Sequence, residues 1–134
     1  MDVQGGGSQP GPDDIPASDL VYRWIPHGFW NKKTRRPNPN NFRGLESGGV
    51  SVEWSRFSDP ETCKNHSIDS SDVGVVQLGV DKVKQIDLLK VKHRPEPEHP
   101  EHSLILAENI DRDILQTKLE LVNICEWAIE PPNE

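Results

Sequence analysis

Arg23, Ser51 and His102 are the side chains of this sequence best suited to act together on a ligand. Arg23 lies in the first predicted strand, Leu20–Ile25, and Ser51 lies in the second, Val50–Trp54. A guanidinium on a rigid strand suits a phosphate group because it can donate two parallel hydrogen bonds. His102 stands where a proline-rich turn enters an apolar strand, which favours a position at a cleft. These three residues form the candidate catalytic set. The alternative is that Arg23 is a buried arginine with a structural partner and that His102 has a structural role.

The placement of an arginine on the first strand and a serine on the next resembles ADP-ribosyltransferase-like folds. In those folds the arginine binds a cofactor phosphate and the serine orders the nicotinamide-ribose site. The resemblance implies a nucleotide-using enzyme. No glutamate stands at a spacing that completes the set, and Glu53 and Glu108 are the candidates for that role.

A basic and aromatic loop follows the first strand, within a long irregular segment over residues 26–47. It has five cations and no acid over residues 31–43, in a chain whose formal net charge is −7. Such a loop can contact phosphates, with aromatic rings available to stack on bases. The alternative is a solvated loop that balances the acidic remainder. The predicted binding residues are Trp30, Lys32, Lys33, Arg35, Arg36, Phe42 and Arg43.

Three histidines, His93, His99 and His102, lie in a turn that also contains three glutamates. Imidazole and carboxylate groups both suit zinc, so these histidines are candidate metal ligands. The spacing does not match a zinc finger, and the prolines restrict how the side chains converge. A solvated connection without metal is therefore the preferred interpretation, and no cofactor is predicted.

Composition predicts a single small domain. The chain has 134 residues, of which 33% are hydrophobic and 28% are charged. Residues 1–18 are rich in glycine, proline and aspartate, which predicts a disordered tail before a folded domain over residues 19–130 and a frayed end over 131–134. The sequence contains no apolar run of about 20 residues, no signal peptide and no disulfide framework, so we expect a soluble cytoplasmic protein without a membrane partner.

The hydrophobic pattern predicts an α+β fold. Short alternating segments indicate a mostly antiparallel sheet of four to five strands. Apolar residues at helical spacing over residues 111–129 predict a C-terminal helix packed on one face of that sheet. Ser58 and Glu61 have the spacing of a capping box at the start of a short helix.

Several short segments resemble a family of small uncharacterised bacterial and archaeal proteins. These segments are the Leu20–Ile25 strand, Arg36-Pro37 followed by Phe42, and the strands that contain Val50 and His102. In that family an opening Leu-Tyr-Arg strand precedes an Arg-Pro-x-x-x-x-Phe segment and a later Pro-x-His-x-x-Ile strand. The resemblance implies a single intracellular domain and supplies no activity. This chain departs from the family pattern at residues 38–41.

Two functional hypotheses follow from the sequence. The first is a non-enzymatic binding or accessory module that contacts RNA or protein through loop 26–43. The second is a nucleotide-using enzyme with an ADP-ribosyltransferase-like cleft that contains Arg23, Ser51 and His102.

Overall fold

The computed structural model describes residues 13–86, 89–107 and 113–132. These residues form one antiparallel sheet, three α-helices and two 3₁₀ segments. The strands are β1 (Leu20–Ile25), β2 (Val50–Trp54), β3 (Gly74–Gly79), β4 (Leu89–His93), β5 (His102–Ala107) and β6 (Glu126–Ile129). The helices are α1 (Pro60–Asn65), α2 (Val80–Gln85) and α3 (Ile114–Ile124), and the 3₁₀ segments are Pro39–Glu46 and Ser70–Asp72.

The six strands have the order β4-β5-β2-β1-β3-β6, and every neighbouring pair is antiparallel. The α+β class and the antiparallel sheet are as predicted, but the sheet has one strand more than the four to five expected. The additional strand, β6, comes from the end of the segment that was predicted to be helical. None of the helices in the described ranges has the length and apolar character that crossing a membrane requires.

The sheet divides between β1 and β2. The β1–β3 ladder runs the full length of β1, from Leu20 to Ile25, whereas the β1–β2 ladder consists of Val21 with Trp54 and Tyr22 with Glu53. Beyond these two pairs the strands separate, because no further residues of β1 and β2 face each other in register. The separation opens a cleft between the two halves of the sheet.

The C-terminal helix is shorter than predicted. It begins after Asp113, whose carboxylate accepts the Gln116 N–H as an N-cap, and it ends at Ile124 because Cys125 has an extended backbone. The helix contacts the 3₁₀ segment Pro39–Glu46 and α2, and Leu121 joins the main core. The predicted start, residues 111–112, lies outside the described residues.

Two other boundaries differ from the sequence-based expectation. Ile15, expected in the tail, is fully buried, and its N–H donates to the Val91 carbonyl at 3.2 Å. At the other end, Pro131 is buried, although it was expected to fray. The folded domain therefore includes residues 13–18 and reaches at least Pro132. In α1, the N-cap is Asp59 rather than Ser58, since the Asp59 carboxylate accepts the Thr62 N–H at 2.8 Å.

Candidate functional site

A cleft of about 510 Å³ lies where the sheet divides. Strands β1, β2 and β5 contribute residues to its floor. The 3₁₀ segment Pro39–Glu46, helix α1 and the turn over residues 94–101 contribute residues to its rim. Two groups of polar side chains line the cleft. One group is cationic and is centred on Arg23, and the other combines imidazoles with carboxylates.

Arg23 is a half-buried cation whose Nε is fully buried and which has no anionic partner among the described residues. Its Nη1 donates to the Ser51 carbonyl at 2.7 Å, and its Nε is buried with no hydrogen-bond partner. No carboxylate of the described ranges forms an ion pair with it. Burial lowers the pKa of the Arg23 guanidinium, Cys63 opposes that shift, and the positive charge of Arg43 reinforces it. An arginine remains charged under such conditions, so the cleft contains a cation with unused donor capacity.

Arg23 lies next to the last residue of β1 that pairs with β2. Its donation to the Ser51 carbonyl links the two strands just beyond that pair. Arg43 lines the same cleft from the 3₁₀ segment, and its guanidinium carbon lies 5.9 Å from the centroid of the Phe29 ring. The two guanidinium groups make this end of the cleft positive.

Ser51 and His102 form a hydroxyl–imidazole pair. Ser51 Oγ lies 3.2 Å from His102 Nε2, and His102 Nδ1 lies 2.8 Å from the Arg94 carbonyl oxygen. A carbonyl can only accept, so Nδ1 is the donor and Nε2 of the neutral ring accepts the Ser51 proton. A hydroxyl that donates to an oriented imidazole is the arrangement used for nucleophilic or acid–base catalysis. The structure thus brings together Arg23, Ser51 and His102.

A second group of side chains in the cleft contains two histidines and two glutamates. His66 Nδ1 lies 2.8 Å from Glu53 Oε2 and 3.8 Å from Glu101 Oε2. His99 Nδ1 lies 2.9 Å from the same Glu101 oxygen. The sequence did not single out His66, which is the C-cap of the short polar helix α1. Helix α1 packs against β1 and β3, and this contact places His66 over the cleft.

The three histidines considered as candidate metal ligands, His93, His99 and His102, do not converge. His93 Nε2 donates to the Pro100 carbonyl at 2.6 Å, and its ring stacks on Phe57. His102 is hydrogen-bonded to Ser51 and to the Arg94 carbonyl. Of the three, His99 alone belongs to a group with metal-ligand spacing, and its neighbours there come from other parts of the chain.

Cys63 also lines the cleft, but it is not an activated nucleophile. Burial raises the pKa of its thiol, and the negative charge of Glu53 raises that pKa further. The thiolate is the reactive form of cysteine, so a thiol held protonated is inert.

The aromatic side chains of the basic loop belong to the core. Trp30 is 4% exposed and Phe42 is fully buried. Neither ring can stack on a base while it is packed in the interior. The hypothesis that these two residues bind a ligand directly is corrected accordingly, because their burial against the other core residues accounts for their positions.

Two arginines of the loop donate hydrogen bonds to backbone carbonyls of the C-terminal segment. Arg35 Nη2 donates to the Pro131 carbonyl at 2.7 Å, and Trp127 Nε1 donates back to the Arg35 carbonyl at 2.6 Å. Arg36 Nη2 donates to the carbonyls at the end of α3, those of Val122 and Cys125. Lys32, Lys33 and Arg43 are the remaining cations of the predicted binding set, and all three are exposed.

We expect the Arg36→Ala variant to lower the free energy of unfolding by about 2 kcal/mol, because it leaves the last carbonyls of α3 without a charged donor. Chemical denaturation with a fluorescence readout measures this loss. Lys33→Ala is the control, since its side chain is exposed in the same loop, and we expect a change within about 0.5 kcal/mol. Equal stability of the two variants would contradict a capping role for Arg36.

Comparison of this chain with known protein families, curated proteins and solved structures finds no match. Glu108, one of the two glutamates considered for the enzymatic set, lies outside the described residues. Glu53, the other, lines the cleft.

Proposed function

We propose that this chain is a nucleotide-using enzyme that binds a phosphate of its substrate at Arg23 and acts beside it through Ser51 and His102. The observation that carries the proposal is the half-buried Arg23 guanidinium, whose buried Nε has no hydrogen-bond partner and which has no anionic partner in the described ranges. An uncompensated charge in a protein interior is costly. A phosphate in the cleft supplies both the missing charge and the missing acceptors.

The position of Arg23 relative to Ser51 favours a nucleotide over a simple anion. Because Arg23 donates to the carbonyl of Ser51, an anion held by Arg23 lies beside the Ser51 hydroxyl. In a nucleotide, the group next to the phosphate is the ribose. The Ser51–His102 pair can therefore hydrogen-bond to ribose hydroxyls and move a proton at Ser51 Oγ.

Among nucleotides, we propose NAD⁺ as the substrate. Trp24 and Phe29 line the cleft, are partly exposed and provide apolar surface for an aromatic ring such as nicotinamide. Glu53 is two residues beyond Ser51, so strand alternation places both side chains on the same face of β2. Its carboxylate can stabilise positive charge that develops on the ribose as the glycosidic bond breaks. Nicotinamide leaves with the electron pair of the glycosidic bond, water or an acceptor hydroxyl adds to the ribose carbon, and its proton passes through Ser51 Oγ to His102 Nε2.

The test combines binding with turnover. Isothermal titration of the full chain with NAD⁺, ADP-ribose and ATP measures binding, and liquid chromatography with mass spectrometry measures nicotinamide release. We expect NAD⁺ to bind and to be cleaved, and we expect Ser51→Ala and His102→Gln to lower the rate by about 10²–10⁴-fold.

His27→Gln is the matched control for the histidine substitution, because His27 is exposed, contacts Asp72 and does not line the cleft. We expect it to keep the wild-type rate. Absence of binding to all three nucleotides, or an unchanged rate in His102→Gln, would overturn the proposal.

The accessory-module hypothesis stays a prediction with a smaller set of residues. With Trp30 and Phe42 buried and Arg35 and Arg36 bound to backbone carbonyls, its contact surface reduces to the three exposed cations of the loop. The buried Arg23 has no role in that hypothesis, which is why the enzymatic proposal accounts for more of the structure.

A further inference from the structure

We infer that His66, His99 and Glu101 form a binding site for a divalent transition-metal ion, zinc in the first instance, in the cleft that Arg23 also lines. The three residues come from the end of α1 and from the turn that leads into β5. The inference stands on their geometry and charge and does not depend on the proposed substrate.

The ligand atoms of the three residues already have metal-site spacing. All lie within 4.8 Å of one another. Zinc ligands at about 2.1 Å from the ion, in tetrahedral arrangement, are roughly 3.4 Å apart. The distances from Glu101 Oε2 to His99 Nδ1, 2.9 Å, and to His66 Nδ1, 3.8 Å, lie on either side of that value. The widest separation in the cluster is within 4.8 Å, so an ion between the three residues requires side-chain adjustments of about 1 to 1.5 Å.

The charges of the cluster favour a cation. The Glu101 side chain is 7% exposed and that of Glu53 is 13% exposed, and the ion-pair partners of both carboxylates are imidazoles. Two carboxylates with little exposure to solvent thus lie close to one another beside the two rings. A divalent ion bound there offsets the negative charge of such groups.

The donor set selects the class of metal. Two imidazoles with one carboxylate are the ligands of catalytic zinc sites, in which a further position stays open. Calcium and magnesium prefer all-oxygen sites, so neither suits this cluster. Glu53 Oε2 lies 2.8 Å from His66 Nδ1, the same nitrogen that would bind the ion, so this contact is exchanged for the metal bond when the ion binds. The open position faces the cleft, since all four residues line it.

The experiment uses the full chain after treatment with a chelator and its removal. Isothermal titration with Zn²⁺ is expected to show one site per chain with micromolar or tighter affinity, and Mg²⁺ is expected to show no saturable binding. Substitution of Co²⁺ is expected to give visible absorption bands of a low-coordinate site. His99→Ala and His66→Gln are each expected to weaken Zn²⁺ binding by at least about 100-fold, the upper end of the loss seen for residues that only orient a ligand.

Variants inside and outside the cluster distinguish loss of the metal site from other effects. His99 is 48% exposed in its turn, so its substitution tests the site without removing core packing. His27→Ala removes an exposed histidine outside the cluster and is expected to keep Zn²⁺ affinity. Arg23→Met is expected to keep Zn²⁺ affinity as well, which separates this site from the nucleotide proposal. No saturable Zn²⁺ binding, or Zn²⁺ affinity retained in a His66→Gln, His99→Ala double variant, would overturn the inference.

Discussion

Arg23→Met is expected to lower nucleotide affinity by at least about 100-fold, or about 2.7 kcal/mol, without destabilising the chain. The guanidinium provides the charged donors for a phosphate, and methionine provides none. In the free protein the same guanidinium is a desolvated charge with an unpartnered Nε. Replacement of a buried ion by an apolar side chain of similar length is commonly neutral or stabilising. We therefore expect a free energy of unfolding equal to the wild-type value or about 1 kcal/mol higher.

Titration calorimetry and chemical denaturation of the same preparation measure these two changes. Arg56→Met is the matched control, since Arg56 is exposed and lies outside the cleft, beside the Trp54 ring. It removes the same charge from the chain and is expected to leave nucleotide affinity unchanged. A loss of more than about 2 kcal/mol of stability in Arg23→Met would identify Arg23 as a structural residue and contradict its role as an anion site.

Phe42→Ala is expected to lower the free energy of unfolding by about 3–5 kcal/mol. Phe42 is fully buried in the main core, at the kink of the 3₁₀ segment that α3 packs against. Removal of the ring leaves a cavity that the surrounding strands cannot fill. Thermal and chemical denaturation measure the loss.

Phe57→Ala is the comparison, because the Phe57 side chain is 47% exposed at the surface. We expect a loss below about 1 kcal/mol for that variant. If Phe42→Ala instead kept wild-type stability and weakened binding of nucleic acid, the ring would be a stacking residue, as the basic-loop hypothesis assumed.

The strands were predictable where one face of each is buried. In β2, Val50, Val52 and Trp54 are buried while Ser51 is exposed, so the alternation of the sequence matches the structure. The sixth strand was not predictable in the same way. The apolar residues after α3 have a spacing that fits a helix, but in the structure they lie in β6 or next to it. These residues are Cys125, Ala128 and Ile129. Whether this segment forms a strand depends on its pairing with β3, where Gly74 leaves room for the Trp127 ring. A Cβ at residue 74 would lie 2.6 Å from that ring.

The candidate site was predictable in part for a related reason. Arg23 and Ser51 lie on strands that the sequence pattern predicts, so the sequence was enough to infer that the two residues lie close together. His66 could not be inferred, since it lies at the end of a short polar helix whose packing is set by distant contacts. The turn over residues 94–101 folds back through a bridge between Glu96 and His99, which directs His99 to the cleft and His93 to Trp54 and Phe57. The spacing of these histidines in the sequence does not indicate that their side chains lie in different places.

The short ladder between β1 and β2 has a consequence for stability. The strands β4, β5 and β2 lie on one side of this ladder, and β1, β3 and β6 lie on the other. A ligand that contacts both Arg23 of β1 and Ser51 of β2, as the proposed nucleotide would, adds contacts across the join. Such a ligand would stabilise the folded sheet in proportion to its affinity, so tighter binding and a higher unfolding temperature are expected together.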